Sequence, residues 1–223
     1  MEAGNARYGT AGDLPDVVPV FPLSAALLLP GGRMPLNIFE PRYLKMVDDT
    51  IGRSRLIGMI QPRLDGARRA PETPELCELG CLGRIVSFAE TGDGRYLISL
   101  HGVCRFRLLE ELSGATPYRQ YRISPLAGDL AEEEGADEVD RAALLKTFKA
   151  YLDANELEAD WDSVSRAGSA TLVNALSMMS PYGPAEKQAL LEAPDLKSRA
   201  ETLIAITEMA LARGTDDPGA TLQ

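Results

Sequence analysis

The sequence predicts an α+β fold: a small β-barrel with one inserted helix, followed by an all-helical bundle. Three observations point there. Two alternating runs within residues 84–108 flank Thr91-Gly92-Asp93-Gly94, which marks a β-hairpin with a tight Asp-Gly turn. The segment 27–47 crowds Pro30, Pro35, Pro41 and Gly31-Gly32 among apolar residues before a helical pattern begins. Charge divides the chain, with 15 Lys/Arg against 14 Asp/Glu in residues 1–125 and 8 against 19 in residues 126–223, so two units of different character follow one another. The expected bounds are a loose tail at 1–16, the barrel at 17–128, an acidic linker at 129–140, the bundle at 141–213 and a second loose tail at 214–223.

Each element has its own signal. VVPVFPL, AALLL and MPLNIF read as short strands broken at Pro22, Pro30-Gly31-Gly32 and Pro35, and proline keeps them bent or at an edge. Glu40 is held extended by the proline after it, and Pro41 suits the first position of a helix. That helix, PRYLKMVDDTI, places Tyr43, Leu44, Val47 and Ile51 on one face. RLIGMIQ is a further strand, and PRLDGARRAPET is too long for a simple turn. The second hairpin arm gives Tyr96, Ile98, Leu100, Gly102, Cys104, Phe106 and Leu108 one parity, a strand of unusual length with glycine at its midpoint, where a bend is expected. YRQYRISPL closes the β-rich unit.

Helical spacing then recurs in Leu144, Leu145, Phe148, Tyr151 and Leu152, and in Leu172, Val173, Leu176 and Met179 before Pro181. Pro184 opens PAEKQALLE, and Asp195 is placed to cap LKSRAETLIAITEMALAR.

Composition narrows the function. The chain of 223 residues has a formal charge of −10, no apolar run long enough to span a bilayer and no secretory leader at its start. With three cysteines, an odd number, it reads as a cytoplasmic protein. None of its five lysines follows a glycine, so no phosphate-binding loop GxxxxGK[ST] is present, and GxGxxG and GxSxG are absent too.

His101, the one histidine, would need Cys104 beside it to form a nucleophile pair, yet their opposite parity separates them unless a bulge intervenes. Cys77, Cys81, Cys104 and His101 are four possible zinc ligands in number, but the Cys77–Cys81 spacing is not the common CxxC and His101 faces away. No metal or cofactor is therefore assigned. Arg53, Arg55, Arg63, Arg68 and Arg69 cluster in sequence, and Arg105 and Arg107 share a strand face. A polyanion-binding domain carries a clear excess of positive charge, which this one lacks. Asp48-Asp49 and Glu110-Glu111 are adjacent pairs that do not converge on a substrate.

Three stretches in order, FPLSAALLLPGGRMPLNIFEPRYLKMVDD, CLGRIVSFAETGDGRYLISLHGVCRFRLLEEL and SPYGPAEKQALLEAPDLKSRAETL, resemble the N-terminal substrate-binding domain of the Lon ATP-dependent proteases, over roughly residues 18–212. The resemblance implies a PUA-like barrel followed by a helical bundle, and a non-enzymatic module that binds unfolded or client protein segments as an adaptor or holdase. A protease or other protein would be a further partner. The ATPase and Ser-Lys peptidase parts of that family have no counterpart in these residues, so neither activity is carried over. The alternative is an RNA-binding PUA-like module. Apolar residues beside the bends, Leu27, Leu28, Leu29 and Met34, cannot all face inward on alternating strands, and they are the candidate lining of a groove for unfolded polypeptide.

Overall fold

The computed structural model describes residues 1–70, 73–131 and 135–216. Residues 71–72 of the long loop, 132–134 of the acidic linker and 217–223 of the second tail lie outside the described residues. In chain order the strands are β1 (Glu2–Ala3), β2 (Ala6–Arg7), β3 (Val17–Pro22), β4 (Arg33–Ile38), β5 (Leu56–Ile60), β6 (Arg68–Ala70), β7 (Thr73–Pro74), β8 (Leu79–Glu90), β9 (Tyr96–Leu112) and β10 (Gln120–Pro125). Helix α1 (Pro41–Ile51) lies between β4 and β5; α2 (Arg141–Ala154), α3 (Trp161–Arg166), α4 (Ser169–Met179), α5 (Pro184–Glu192) and α6 (Leu196–Asp216) follow β10.

Residues 1–16 are more ordered than a loose tail. β1 and β2 pair antiparallel, and Ala3, Tyr8 and Leu14 are buried. The Met1 ammonium donates to the Leu130 carbonyl at 2.8 Å, tying the start of the chain to the end of the β-rich part. Three buried side chains scattered among glycines have no periodicity that composition could reveal.

Six strands form one mixed sheet in the order β10-β3-β5-β8-β9-β4, with β3 and β5 in parallel. This corrects the expectation of a PUA-like closed barrel: the strands form one curled mixed sheet that ends in β4 instead of closing as a barrel. β9 shares one edge between two strands, pairing with β4 over Tyr96–His101 and with β10 over Phe106–Leu112. β10 thus reaches β9 only along its second half, while β4 takes the first half and ends the sheet with no strand on its other edge among the described residues. Pro35 in β4 fits that position, because proline is tolerated where the ladder does not need its N–H.

The change of partner along β9 happens at Gly102. Gly31 N donates to Gly102 O and Gly102 N to Gly32 O, both at 2.9 Å. A Cβ on Gly102 would lie 2.0 Å from the Leu29 carbonyl oxygen. Ladder register slips beside it, where Leu82 faces Cys104 and Gly83 faces Gly102, so Val103 is an extra residue and strict alternation ends. The expected strand at AALLL is consequently absent. Leu27, Leu28 and Leu29 are all buried in succession, along a loop that crosses β9 instead of pairing beside it.

The start of α1 and the cap of α6 match the sequence signals. Glu40 is extended, with φ −71° and ψ 131°, ahead of Pro41, and the Asp195 carboxylate accepts from Ser198 N at 2.7 Å.

Buried apolar residues form two clusters. One, including Val18, Val20, Leu82, Phe106 and Ile123, lies within the sheet and the N-terminal hairpin. The other runs from Leu28, Ile85 and Leu100 through Met46 and Val47 of α1 into Leu172, Leu190 and Leu203 of the helices. Polar ties reinforce this packing. Arg105 is buried and donates to both Asp129 carboxylate oxygens at 2.8 Å, and to the Leu191, Ala193 and Pro194 carbonyls at the end of α5. Those carbonyls have no partner within the helix, so a strand side chain completes it.

Gly102→Ala forces backbone apart and is expected to cost about 3 kcal/mol. Gly31→Ala, with φ 75° and open space around its Cβ, meets only the left-handed backbone penalty of about 1 kcal/mol. Urea unfolding of both variants measures the difference, and equal losses would refute the steric account of Gly102.

Candidate functional site

A cleft of ≈650 Å³ opens between residues 25–35 and helix α4. Leu27, Gly32 and Met34 form one wall, and Ala175, Met178 and Met179 of α4 form the other. Arg33, Thr171 and Asp129 also border it.

The loop wall is held from three sides. Gly31-Gly32 is fixed on Gly102 as described. Ala25 N donates to Gln61 Oε1 at 2.9 Å, and the same buried amide donates through Nε2 to Pro184 O at 3.0 Å and Gln188 Oε1 at 3.1 Å. Asn174 of α4 reaches Pro30 O at 3.4 Å. Behind Asn174, the fully buried Arg199 donates to its Oδ1 at 2.9 Å and to Leu190 O at 3.1 Å. A Cβ on Gly32 would lie 2.3 Å from Met178 Sδ, so the bare backbone there gives the thioether its seat.

The four sequence-designated groove residues separate. Leu27 borders the cleft although only 3% exposed, and Met34 borders it half-buried. Leu28 and Leu29 turn into the core, at 2% and 0% exposure. The α4 wall was missed, since helical periodicity placed Met179 with Leu172 and Leu176 on an inward face. In fact Met179 is 82% exposed. The available signal was the Met178-Met179 pair one residue short of Pro181, where the helix ends and its last side chain escapes the packed face.

The titratable candidates do not assemble. His101 sits opposite Arg33 in the β4–β9 ladder, and burial together with that guanidinium lowers its pKa. Cys104 is fully buried in the sheet cluster, where burial pushes its thiol up to about 12, far from the thiolate a nucleophile needs. Cys81 belongs to the other cluster, and desolvation raises its thiol well above the usual range. Among the described residues, no group of three or more His, Cys, Asp and Glu stands close enough to hold a metal ion. No helix among them is long and apolar enough to cross a membrane.

Three of the arginines read as a possible polyanion site, Arg55, Arg63 and Arg105, are engaged within the fold. Arg105 is paired with Asp129, Arg63 with Asp65 and Glu75, and Arg55 donates to Ile51 O. The side chains of Arg68 and Arg69 lie outside the described residues.

Comparison with known proteins places the whole arrangement. The profile of the ATP-dependent protease La (LON) substrate-binding domain matches residues 17–208. Lon protease 2 of Myxococcus xanthus is 26% identical over 200 residues, covering 86% of this chain and 23% of that protein. The Lon protease of Parabacteroides distasonis is 30% identical over 200 residues, covering 86% and 24%. The chain thus spans about a quarter of the length of these curated relatives. The crystal structure of a Lon N-terminal domain protein from Xanthomonas campestris superposes with a TM-score of 0.61 at 25% identity, covering 85% of this chain and 97% of that one. The N-terminal domain of the Mycobacterium avium complex Lon protease shares the fold, with a TM-score of 0.63 at 21% identity, covering 86% and 98%.

Lys187 anchors the end of the α4 wall. Its Nζ is buried and donates to Ser177 O at 3.1 Å and Met178 O at 2.7 Å, and desolvation lowers its pKa from 10.5 to about 8. Below pH 8 both folded and unfolded chains carry the proton, so folding bears the cost of burying a cation. Between pH 8 and 10.5 the folded lysine sheds its proton first, and stability must rise with pH. Cysteine and tyrosine ionisation act in the opposite sense at the upper end, so the observable is the difference between wild type and Lys187→Met. Wild-type unfolding free energy is expected to gain on the variant from pH 7 to 10. A pH-independent difference would show that Lys187 titrates normally.

Proposed function

The chain belongs to the ATP-dependent protease La (LON) substrate-binding domain family, and from that premise we propose that it captures unfolded or client polypeptide segments in the cleft between residues 25–35 and α4. The matched region is the non-catalytic part of such proteases and contains no catalytic motif. In this reading the module is an adaptor or holdase.

The observation that carries the proposal is the composition of the cleft beside an open sheet edge. Its walls are mostly alanine, glycine, leucine, proline and methionine, with Arg33, Asp129, Thr171 and Asn174 among them, and contact with apolar side chains is driven by removal of that surface from water. Arg33, Met34 and Pro35 border the cleft and belong to β4, whose far edge carries no strand among the described residues. An extended segment laid there gains main-chain hydrogen bonds from β4 and side-chain burial from the cleft. Methionine suits such a wall because its unbranched, polarizable chain adapts to different shapes.

Fluorescence anisotropy with a labelled, permanently unfolded polypeptide tests the reading, with a labelled RNA in parallel, each at low and moderate salt. Binding to the polypeptide that changes little with salt is expected. The double substitution Met34→Asp/Met179→Asp should raise the dissociation constant by about tenfold or more, since each places a charge on an apolar contact. RNA binding that falls steeply with salt would instead establish the polyanion reading. Binding to neither would overturn polypeptide capture.

A further inference from the structure

Four of the seven methionines in the chain, Met1, Met34, Met178 and Met179, border this one cleft. The others are elsewhere: Met46 and Met59 are buried at 0% and 4% exposure, and Met209 is half-exposed on α6. Such a concentration of thioethers in one cleft has a chemical consequence beyond packing.

We propose that the cleft is a reversible oxidation switch, in which conversion of its methionines to sulfoxides by a peroxide releases bound polypeptide. The inference rests on the capture reading above and adds its regulation. In the step itself the thioether sulfur attacks one peroxide oxygen. The O–O bond breaks, an S–O bond forms, the sulfur loses two electrons, and hydrogen peroxide leaves as water. A thiol-dependent methionine sulfoxide reductase reverses the change by removing the oxygen as water and oxidising its thiols to a disulfide.

Geometry gives the switch its direction. Met179 is 82% exposed, so peroxide reaches it without any opening of the fold. A sulfoxide oxygen is a strong acceptor that must lose water when a polypeptide covers it. Much of the surrounding wall, Ala25, Ala26, Pro30, Pro35 and Ala175, has no side-chain donor to replace that water. Met178 is more sensitive still, because its sulfur lies against Gly32 at the distance where even a Cβ would clash. An added oxygen there displaces either the helix end or the loop wall. Met46 and Met59, sealed in the core, are protected as long as the chain stays folded.

The test uses the full chain, brief hydrogen peroxide treatment, peptide mass spectrometry and anisotropy with the same unfolded polypeptide. Met179 and Met209 should be oxidised first, then the remaining cleft methionines, with Met46 and Met59 unmodified. The dissociation constant should then rise by about tenfold or more. The chain should stay folded by near-UV circular dichroism, with at most a small fall in melting temperature from the local displacement, and reductase treatment should restore affinity. In Met34→Leu/Met178→Leu/Met179→Leu the ratio of oxidised to reduced affinity should stay within about twofold, because leucine is of similar volume and inert to peroxide. Met209→Leu should behave as wild type throughout.

The switch is overturned if oxidised wild type binds as tightly as reduced, if the triple variant loses affinity equally, or if the loss coincides with unfolding. Absence of binding by the untreated wild type would instead remove the capture reading on which the switch depends.

Discussion

The passage of one backbone across another at Gly102 is the constraint on which the rest of the structure depends. The Leu29 carbonyl lies where a side chain on residue 102 would begin, so the loop can touch β9 only where β9 has none. From that contact the neighbouring features follow. β9 bulges and changes partner, three consecutive leucines are buried without forming a strand, and β4 starts in register with His101. The cleft is the outer side of the same crossing. Its loop wall cannot withdraw from α4 without breaking the pair of hydrogen bonds that Gly102 exchanges with Gly31 and Gly32.

A second principle holds the helices in place. Arg105, Lys187, Arg199 and Gln61 are buried, and each donates to main-chain carbonyls of a different element: Arg105 to the end of α5, Lys187 to the end of α4, Arg199 to α5 and Gln61 to Pro184. Helix C-termini leave carbonyls that must be satisfied when buried; Arg105, Lys187 and Arg199 meet that need, and Gln61 adds a tie to the start of α5. The desolvation of Lys187 is the cost of one such tie. The gain is a rigid backing for the α4 wall, since unpaired carbonyls in the interior would be worse.

These two principles also explain what was legible in the sequence. Local signals were sufficient for the helix start at Glu40-Pro41, the Asp195 cap and the β8–β9 hairpin, because each is set by neighbours in the chain. The charge boundary near residue 126 follows β10 and precedes the helices α2–α6. What escaped was set across the chain. Leu28 and Leu29 were assigned to a surface because alternation was assumed, whereas the loop they occupy buries both by crossing a glycine over 70 residues away. Arg105 resembled a rim charge until Asp129 and three carbonyls were brought to it. The sharing of one edge of β9 between β4 and β10 brings together strands from distant parts of the chain, a pairing that no single segment encodes.

The chemistry of the cleft follows from how its own polar groups are used. Asn174 bonds to Pro30 and Arg199, and Asp129 bonds to Arg105, so the polar side chains set furthest into the walls serve the walls. Apart from Arg33 and Thr171, what faces outward is mainly apolar area and, along β4, main-chain groups that every polypeptide complements. Neither feature reads a particular side-chain sequence. Both require an occupant that exposes apolar residues and unpaired backbone together, a combination that folding removes. Under the capture we propose, a surface built this way discriminates by conformation: it distinguishes an unfolded segment from a folded one more sharply than one sequence from another.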